Sequence, residues 1–225
     1  MGPHARQITS EVYQVGGSGF TASDDAAAYL ICADGAAALI DCGCGDATDL
    51  LLANVESTGT DPQDIGLLLL THCHFDHVGG AAELRRRLPC RVVAHALDTA
   101  AIESGDPTVT AASWYGRALT PCPVDVRLDG TISSLAIGPR RIDALHIPDH
   151  SPGSLAFRFE SAGRTLLFAQ DVHGPLHPDL RSDARAYQAS LQRLLAVGAD
   201  VLCEGHYGIF EGRERVADFI ERFVH

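Results

Sequence analysis

The stretch "THCHFDHVGG", residues 71–80, places His72, His74, Asp76 and His77 in one short segment. Imidazole is the commonest metal ligand, and a carboxylate is its natural hard partner in the same shell. In an extended segment residues i and i+2 point the same way, so His72 and His74 can grip one ion together. A turn into a following helix then lets Asp76 and His77 face the same hole. Four clustered side chains seldom all reach a single ion, so the two pairs suit two adjacent ions. A solvated polar loop, the usual fate of a lone His or Asp, has no need of this spacing.

Two ions need further ligands, since each takes about four or five, with a position left for water. The chain offers them at three points where a strand meets a loop: His150 in "IPDHSPGS", Asp171 closing "TLLFAQD", and His206 after "ADVLC". Each alone reads as a surface residue. Their common placement, where α/β sites collect, joins them to residues 72–77.

The elements that must hold these residues are legible in the apolar pattern. "IGLLLL" reads as a buried strand running into the histidine cluster, and "AAELRRRL" as the helix leaving it. Before them come the strands "ITSEVYQVG", "AAAYLICA" and "AAALIDCG", the last two joined at the hairpin turn "ADG". "DATDLLLANVEST" reads as a helix with Asp46 as N-cap and Gly59 just past its end. "CRVVAH" is a further strand. Residues 98–123, with Pro107, Pro121, Pro123 and the pair Trp114–Tyr115, are expected to be irregular and to form a lid. Short strands follow to about residue 147, then the hairpin "LAFRFESAGRTLLFAQD" and the helix "DARAYQASLQRLLAVG", closed by Gly198. The last helix carries Val216, Phe219, Ile220 and Phe223 on one face. Strands in two groups, each interleaved with helices, predict an α/β (α+β) fold of two packed sheets with helices outside, as a single domain over 1–225.

Composition narrows the function. The 225 residues suffice for one large domain with a full core. A net charge of −12 argues against nucleic acid as a partner, because binding it needs a basic face. The basic run Arg85–Arg87 is short and reads as a solvated helix face. No apolar run is long enough to span a bilayer, and Asp34 and Gly35 break the nearest candidate. The start lacks the apolar stretch of a secretory signal, and the residues after Gly2 do not fit a myristoylation pattern. The expectation is a cytoplasmic protein acting on a small molecule, without nucleic acid or membrane, and with homodimer formation left open. The seven scattered cysteines read as reduced, mostly buried thiols.

"THCHFDH", "IPDHSPGS", "FAQD" and "GHYG", in that order, resemble the metallo-β-lactamase superfamily, and within it the glyoxalase-II-type hydrolases. The resemblance spans nearly the whole chain and includes "LIDCG". It implies a four-layer αββα sandwich of two mixed β-sheets flanked by helices, with a dinuclear site at one edge. Matched by motif, His72, His74 and His150 would hold the first ion, and Asp76, His77 and His206 the second. Asp171 would bridge them, and Asp41 would orient a ligand histidine. The implied cofactors are two divalent ions, zinc first, with iron or manganese also suited to these donors. The implied chemistry is attack of a metal-bridging hydroxide on the carbonyl of a thioester, lactone or other ester, with Asp76 shuttling the proton.

Departures from the family pattern bear on the substrate. Asp149 stands where glycine usually precedes the third ligand, and is expected to tune His150 or face the substrate. Gln170 replaces the usual glycine before the bridging aspartate. "VHGPLHPDL" lacks the "GCGR"-like segment that binds glutathione, and the short tail after His206 leaves no room for a helical glutathione-binding domain. Gly174 stands where lactonases of this superfamily often carry tyrosine, and His173 is the first candidate to replace it. Trp114, Tyr115, His173 and Tyr207 are the expected substrate contacts, and His146 is expected near the site. Cys73 should point away from it. Asp171 argues against a true β-lactamase and leaves only weak side activity of that kind. The competing readings are an iron-dependent oxidoreductase resembling persulfide dioxygenases, which lacks its glutathione segment here, and a non-catalytic binding protein, which would be expected to have lost ligands.

Overall fold

Apolar runs buried on both faces, such as "AYLICA", "IGLLL" and "RTLLF", need cover on either side, and two stacked sheets with outer helices provide it. The protein is described by a computed structural model over residues 4–148 and 150–225. In chain order the elements are β1 (Arg6–Gln7), β2 (Val12–Gly16), β3 (Ala28–Ala33), β4 (Ala36–Ile40), α1 (Thr48–Ser57), β5 (Ile65–Leu69), α2 (Phe75–Val78), α3 (Ala81–Arg87), β6 (Arg91–His95) and α4 (Ala96–Ser104). Then follow β7 (Val126–Leu128), β8 (Ile132–Ile137), β9 (Arg140–His146), β10 (Leu155–Ser161), β11 (Arg164–Phe168), α5 (Ala184–Val197), β12 (Val201–Cys203), β13 (Ile209–Glu211) and α6 (Arg213–Glu221).

The first sheet runs β1 to β7 in sequence order, and the second runs β13-β12-β11-β10-β9-β8. Both are mixed. β4, β5, β6 and β7 are mutually parallel, so helical crossovers must join them, whereas β1 to β4 form antiparallel pairs. In the second sheet β11 and β12 are parallel and the other pairs antiparallel. The carboxyl ends of β9, β11 and β12 therefore lie at the same end of that sheet.

Three apolar layers hold these parts together. Between the sheets, Tyr29, Ile31, Ile40 and Val93 meet Phe157, Phe159, Phe168 and Val201. On one outer face Leu51, Leu52, Val55 and Leu84 from α1 and α3 pack on Leu39 and Leu68. On the other, Leu191, Leu194, Phe219 and Ile220 from α5 and α6 cover Leu167 and Leu202. This is the expected αββα order. Among the described residues, no helix is long and apolar enough to cross a membrane.

Two local expectations are corrected. Asp46 does not cap α1: Ala47 holds the N-cap position, and Asp46 accepts instead from Arg117 Nη1 at 2.7 Å. Nor are residues 98–123 irregular throughout. "ALDTAAIES" contains neither glycine nor proline, His95 Nδ1 accepts the Leu97 N–H at its start, and left-handed Gly105 ends it, so α4 forms there. A 3-10 turn, Ala112–Tyr115, follows. Phe223 lies past the end of α6 but packs on the same cluster as the other three apolar residues of that face.

Candidate metal centre

The site collects at the carboxyl ends of strands from both sheets. β4 runs into Asp41 and β5 into the loop of His72 and His74, while His150 follows β9, Asp171 follows β11 and His206 follows β12. Hydrogen bonds stitch these loops across the sheets. Leu155 N–H donates to Thr71 O at 2.7 Å, Ala27 N–H to Gly205 O at 2.9 Å, and Tyr29 Oη to Glu204 O at 2.8 Å. Asp41 and Asp171 both take left-handed backbone, with φ of 56° and 53°. Aspartate tolerates that region better than most side chains, and such strain concentrates at functional sites. His74 is the extended residue that caps α2, so His72 and His74 precede the helix and Asp76 and His77 occupy it.

Asp171 is the hub. Its Oδ2 lies 3.1 Å from His150 Nε2 and 3.8 Å from His72 Nε2, and its Oδ1 lies 3.1 Å from His206 Nε2 and 3.3 Å from His77 Nε2. Asp76 Oδ2 completes the second group, 3.3 Å from His206 Nε2 and 3.6 Å from His77 Nε2. His74 joins the first group through Nδ1, 2.7 Å from His150 Nε2. Two donor groups are built on the motif residues, His72, His74, His150 and Asp171, and beside them Asp76, His77 and His206, while Asp171, His173 and Glu204 form a third cluster. Their spacings are close to the roughly 3.3 Å between neighbouring ligand atoms around a tetrahedral ion with bonds of about 2.0 Å.

The ring nitrogens are also set for ligation. His77 Nδ1–H donates to Asp41 Oδ2 at 2.8 Å, leaving the Nε2 lone pair for the centre. Thr71 Oγ1 donates to the same Asp41 oxygen at 2.6 Å and so accepts from His72 Nδ1 at 3.0 Å, with the same result for His72. His150 Nδ1–H donates to Pro175 O at 2.6 Å. Among the described residues, His72 Nε2, His77 Nε2 and Asp171 Oδ1 are buried without a hydrogen-bond partner. Buried polar atoms rarely stay unsatisfied, so these atoms fit cation ligands.

Charge is divided unevenly. Burial, then the neighbouring imidazoles, push His72 and His74 well below the usual histidine range. Burial works against a proton on His77 and His206 too, but Asp171 and Asp76 outweigh it, raising His77 well above its range and His206 to about 10. Burial opposes ionisation of Asp171, yet the charge of His77 and the close ring nitrogens of His150, His206 and His77 hold it well below the usual carboxylate range. His72 and His74 thus stand as neutral donors, whereas His77 and His206 hold protons that a metal must displace.

A cavity of about 250 Å³ opens onto the centre, lined by the ligands His74, Asp76, His150, Asp171 and His206 together with Trp114, Tyr115, His173, Ala111, Pro175 and Leu180. Of the expected substrate contacts, Trp114, Tyr115 and His173 line it. Tyr207 does not; it is exposed and packs on His173 with ring centres 4.8 Å apart. Burial and then the charge of Asp76 push the Tyr115 phenol up, so it stays protonated beside Asp76. His146 does not line the cavity either, but stacks on His95 at 3.8 Å. Cys73 Sγ turns toward Val109 O, away from the ligands. Gln170 donates to Ala27 O at 3.1 Å. Asp149 lies outside the described residues. A larger cavity of about 530 Å³ lies behind α3, but its Arg86, Arg87 and Arg117 are paired to Glu83, Asp49 and Asp46, and no ligand residue lines it.

Three supporting residues escaped the sequence reading. Thr71 is the relay just described. Asp98 is buried and accepts Ser151 Oγ at 2.6 Å and Gly153 N–H at 2.8 Å, which holds the His150 loop. Glu204, fully buried, ties the loops after β11 and β12 together. A glutamate directly after the apolar strand "VLC" was the one available signal.

The family model described as the metallo-β-lactamase superfamily matches residues 24–206. The chain is 28% identical over 196 residues to acyl-coenzyme A thioesterase MBLAC2 of Gallus gallus, covering 77% of this chain and 66% of that one. It is 34% identical over 144 residues to a hydroxyacylglutathione hydrolase of Anaeromyxobacter dehalogenans, covering 63% of this chain and 46% of that one. The matches thus span about half to two thirds of these relatives' lengths. Among solved structures, a metallo-β-lactamase from Novosphingobium pentaromativorans superposes with a TM-score of 0.82 at 24% identity, over 99% of this chain and 88% of that one, which shows a common fold.

Proposed function

The chain belongs to the metallo-β-lactamase superfamily, and from that premise we propose that it is a dinuclear metal-dependent hydrolase of thioesters. The observation that carries this reading is the division of Asp171, one oxygen turned to each histidine group. His72, His74 and His150 would hold one ion, Asp76, His77 and His206 the other, and Asp171 both. Two divalent ions bound there, zinc in the first instance and iron or manganese with the same donors, lower the pKa of water and polarise a carbonyl.

The rest falls to the chain's own side chains. Asp76, the carboxylate of the second group, lines the cavity wall together with Tyr115, placed to accept a proton from the attacking water and pass it to the leaving group. Trp114, Ala111, Pro175 and Leu180 offer apolar surface to an acyl chain. Burial of the ligands shields the reacting carbonyl from bulk water, with His206 the most exposed of them. The thioester reading is supported by the names of two relatives, an acyl-coenzyme A thioesterase and a hydroxyacylglutathione hydrolase. The absence of a "GCGR"-like segment after Asp171 supports thioesters that do not require glutathione. All seven cysteines are free thiols, which supports a reducing, cytoplasmic setting.

The test is zinc-loaded protein assayed in parallel against coenzyme A thioesters, S-lactoylglutathione, lactones, aryl esters and a β-lactam. Highest kcat/KM on a coenzyme A thioester is the expected result. Highest kcat/KM on S-lactoylglutathione would overturn the independence from glutathione, and preference for lactones or β-lactams would overturn the thioester reading.

A further inference from the structure

The edge of a sheet presents unpaired backbone N–H and C=O groups, and proteins keep such edges short, charged or covered. Three of the four edges here are short: β1 has two residues, and β7 and β13 have three each. β8, the edge of the second sheet, spans six residues, "ISSLAI", with neither charge nor proline. Its register shows which backbone groups lie open. His146 N–H donates to Thr131 O at 3.0 Å, and β8 runs on antiparallel to β9 from Ile132 opposite Leu145 to Ile137 opposite Arg140. Bonded pairs alternate along such a ladder, so Thr131, Ser133, Leu135 and Ile137 bond to β9, while Ile132, Ser134 and Ala136 aim their N–H and C=O groups outward. All three are exposed, and among the described residues no other backbone group bonds to them. Ile132 is 60% exposed and, with Leu145 and Leu194, borders an apolar cavity of about 350 Å³, so apolar surface adjoins the open edge.

We propose that β8 is a homodimer interface, in which two copies of the chain pair their β8 strands antiparallel about a two-fold axis through Ser134. The occupant is a second copy because the edge complements itself. With Ser134 facing Ser134, Ile132 of each copy faces Ala136 of the other on the same side of the sheet, and the outward residues form three bonded pairs with two hydrogen bonds each. The ends match in charge as well. Asp129 precedes β8, and Arg140 and Arg141 follow the turn that closes it, so antiparallel pairing sets the acidic start of one strand against the basic turn of the other. β8 itself is neutral, so a chain of net charge −12 meets its copy there with no like charges directly opposed. The two six-stranded sheets become one continuous sheet. None of the residues lining the catalytic cavity belongs to β8, so both metal centres stay open.

Sedimentation velocity over a range of protein concentrations tests the pairing. The native protein should sediment as a dimer. Ile132→Lys combined with Ala136→Lys opposes lysine to lysine on both sides of the axis and should sediment as a monomer, with native far-UV circular dichroism and zinc content. Ile132→Glu combined with Ala136→Lys turns the same two contacts into Glu–Lys pairs and should restore the dimer. A merely structural fault in β8 would not be rescued by reversing one charge. Ser134→Cys reads the geometry without added charge: bonded pairs stand about 5.5 Å apart at Cα, so mild oxidation should give a disulfide-linked dimer on a non-reducing gel. A native protein that sediments as a monomer throughout, or a folded lysine double variant that stays a dimer, would overturn the interface. A Glu–Lys variant that stays a monomer, or a Ser134→Cys protein that forms no cross-link, would overturn the two-fold pairing about Ser134.

Discussion

His77 donates its Nδ1 proton to Asp41 at 2.8 Å, and both side chains are completely sealed from solvent. The same carboxylate binds Thr71 through its backbone N–H at 2.9 Å and its hydroxyl at 2.6 Å. Because Thr71 passes the constraint on to His72, one buried aspartate orients a ligand in each donor group.

Replacing Asp41 with Ala should therefore weaken both ions together, by roughly 10–100-fold in affinity. Competition against a chromophoric chelator measures it. Loss confined to one equivalent would show that the Thr71 relay carries no orientation to His72.

Asp171→Ala should strip both equivalents of metal, whereas His206→Ala should strip one, since His206 contacts Asp76 and only the Asp171 oxygen turned to the second group. Elemental analysis after gel filtration separates the two outcomes. An Asp171→Ala protein that retained two equivalents with normal turnover would remove the bridging role.

The uneven protonation predicts opposite pH responses for stripped and loaded protein. In the metal-stripped protein His206 is raised from 6.5 to about 10, so its contribution to stability is complete below about pH 6.5 and disappears as pH rises through 10. His77 is raised as well and acts in the same direction. The Tm of stripped protein should fall between pH 7 and about pH 10, while affinity for the second ion should rise over the same range as the competing protons leave. Thermal scans and zinc titrations at several pH values check both signs. A Tm that rose with pH in stripped protein would show that the second group is neutral there.

Gly153→Ala tests the support beneath His150. A Cβ at that position would stand 2.5 Å from Asp98 Cγ and 2.9 Å from Asp98 Cβ, too close for either to yield without moving the loop. The variant should lose about 1–3 kcal/mol of stability and bind its first ion more weakly than its second. Calorimetry and stepwise metal titration would show it, and native behaviour in both would mean that the loop tolerates displacement from α4.

The identity of the donors was legible in the linear chain because ligand chemistry is local. His72 and His74 two apart just before a helix, with Asp76 and His77 on its first turn, state a metal pocket without reference to any other element. His150, Asp171 and His206 were legible as strand-end residues because the strands themselves are apolar runs, and the layering followed from how those runs alternate with helices. What remained hidden depends on partners far along the chain. Asp46 looked like a helix cap until Arg117, 71 residues away, took its carboxylate. Asp98 and Glu204 read as ordinary acids until Ser151, 53 residues on, and His173, 31 residues back, gave them their roles. The physical reason is that a histidine's residue type says only that it can ligate. Which of its nitrogens does so is decided by the proton on the other, and that proton is held by Thr71 next to His72, by Asp41, 36 residues from His77, or by Pro175, 25 residues from His150, the last two brought within hydrogen-bond reach only by the fold.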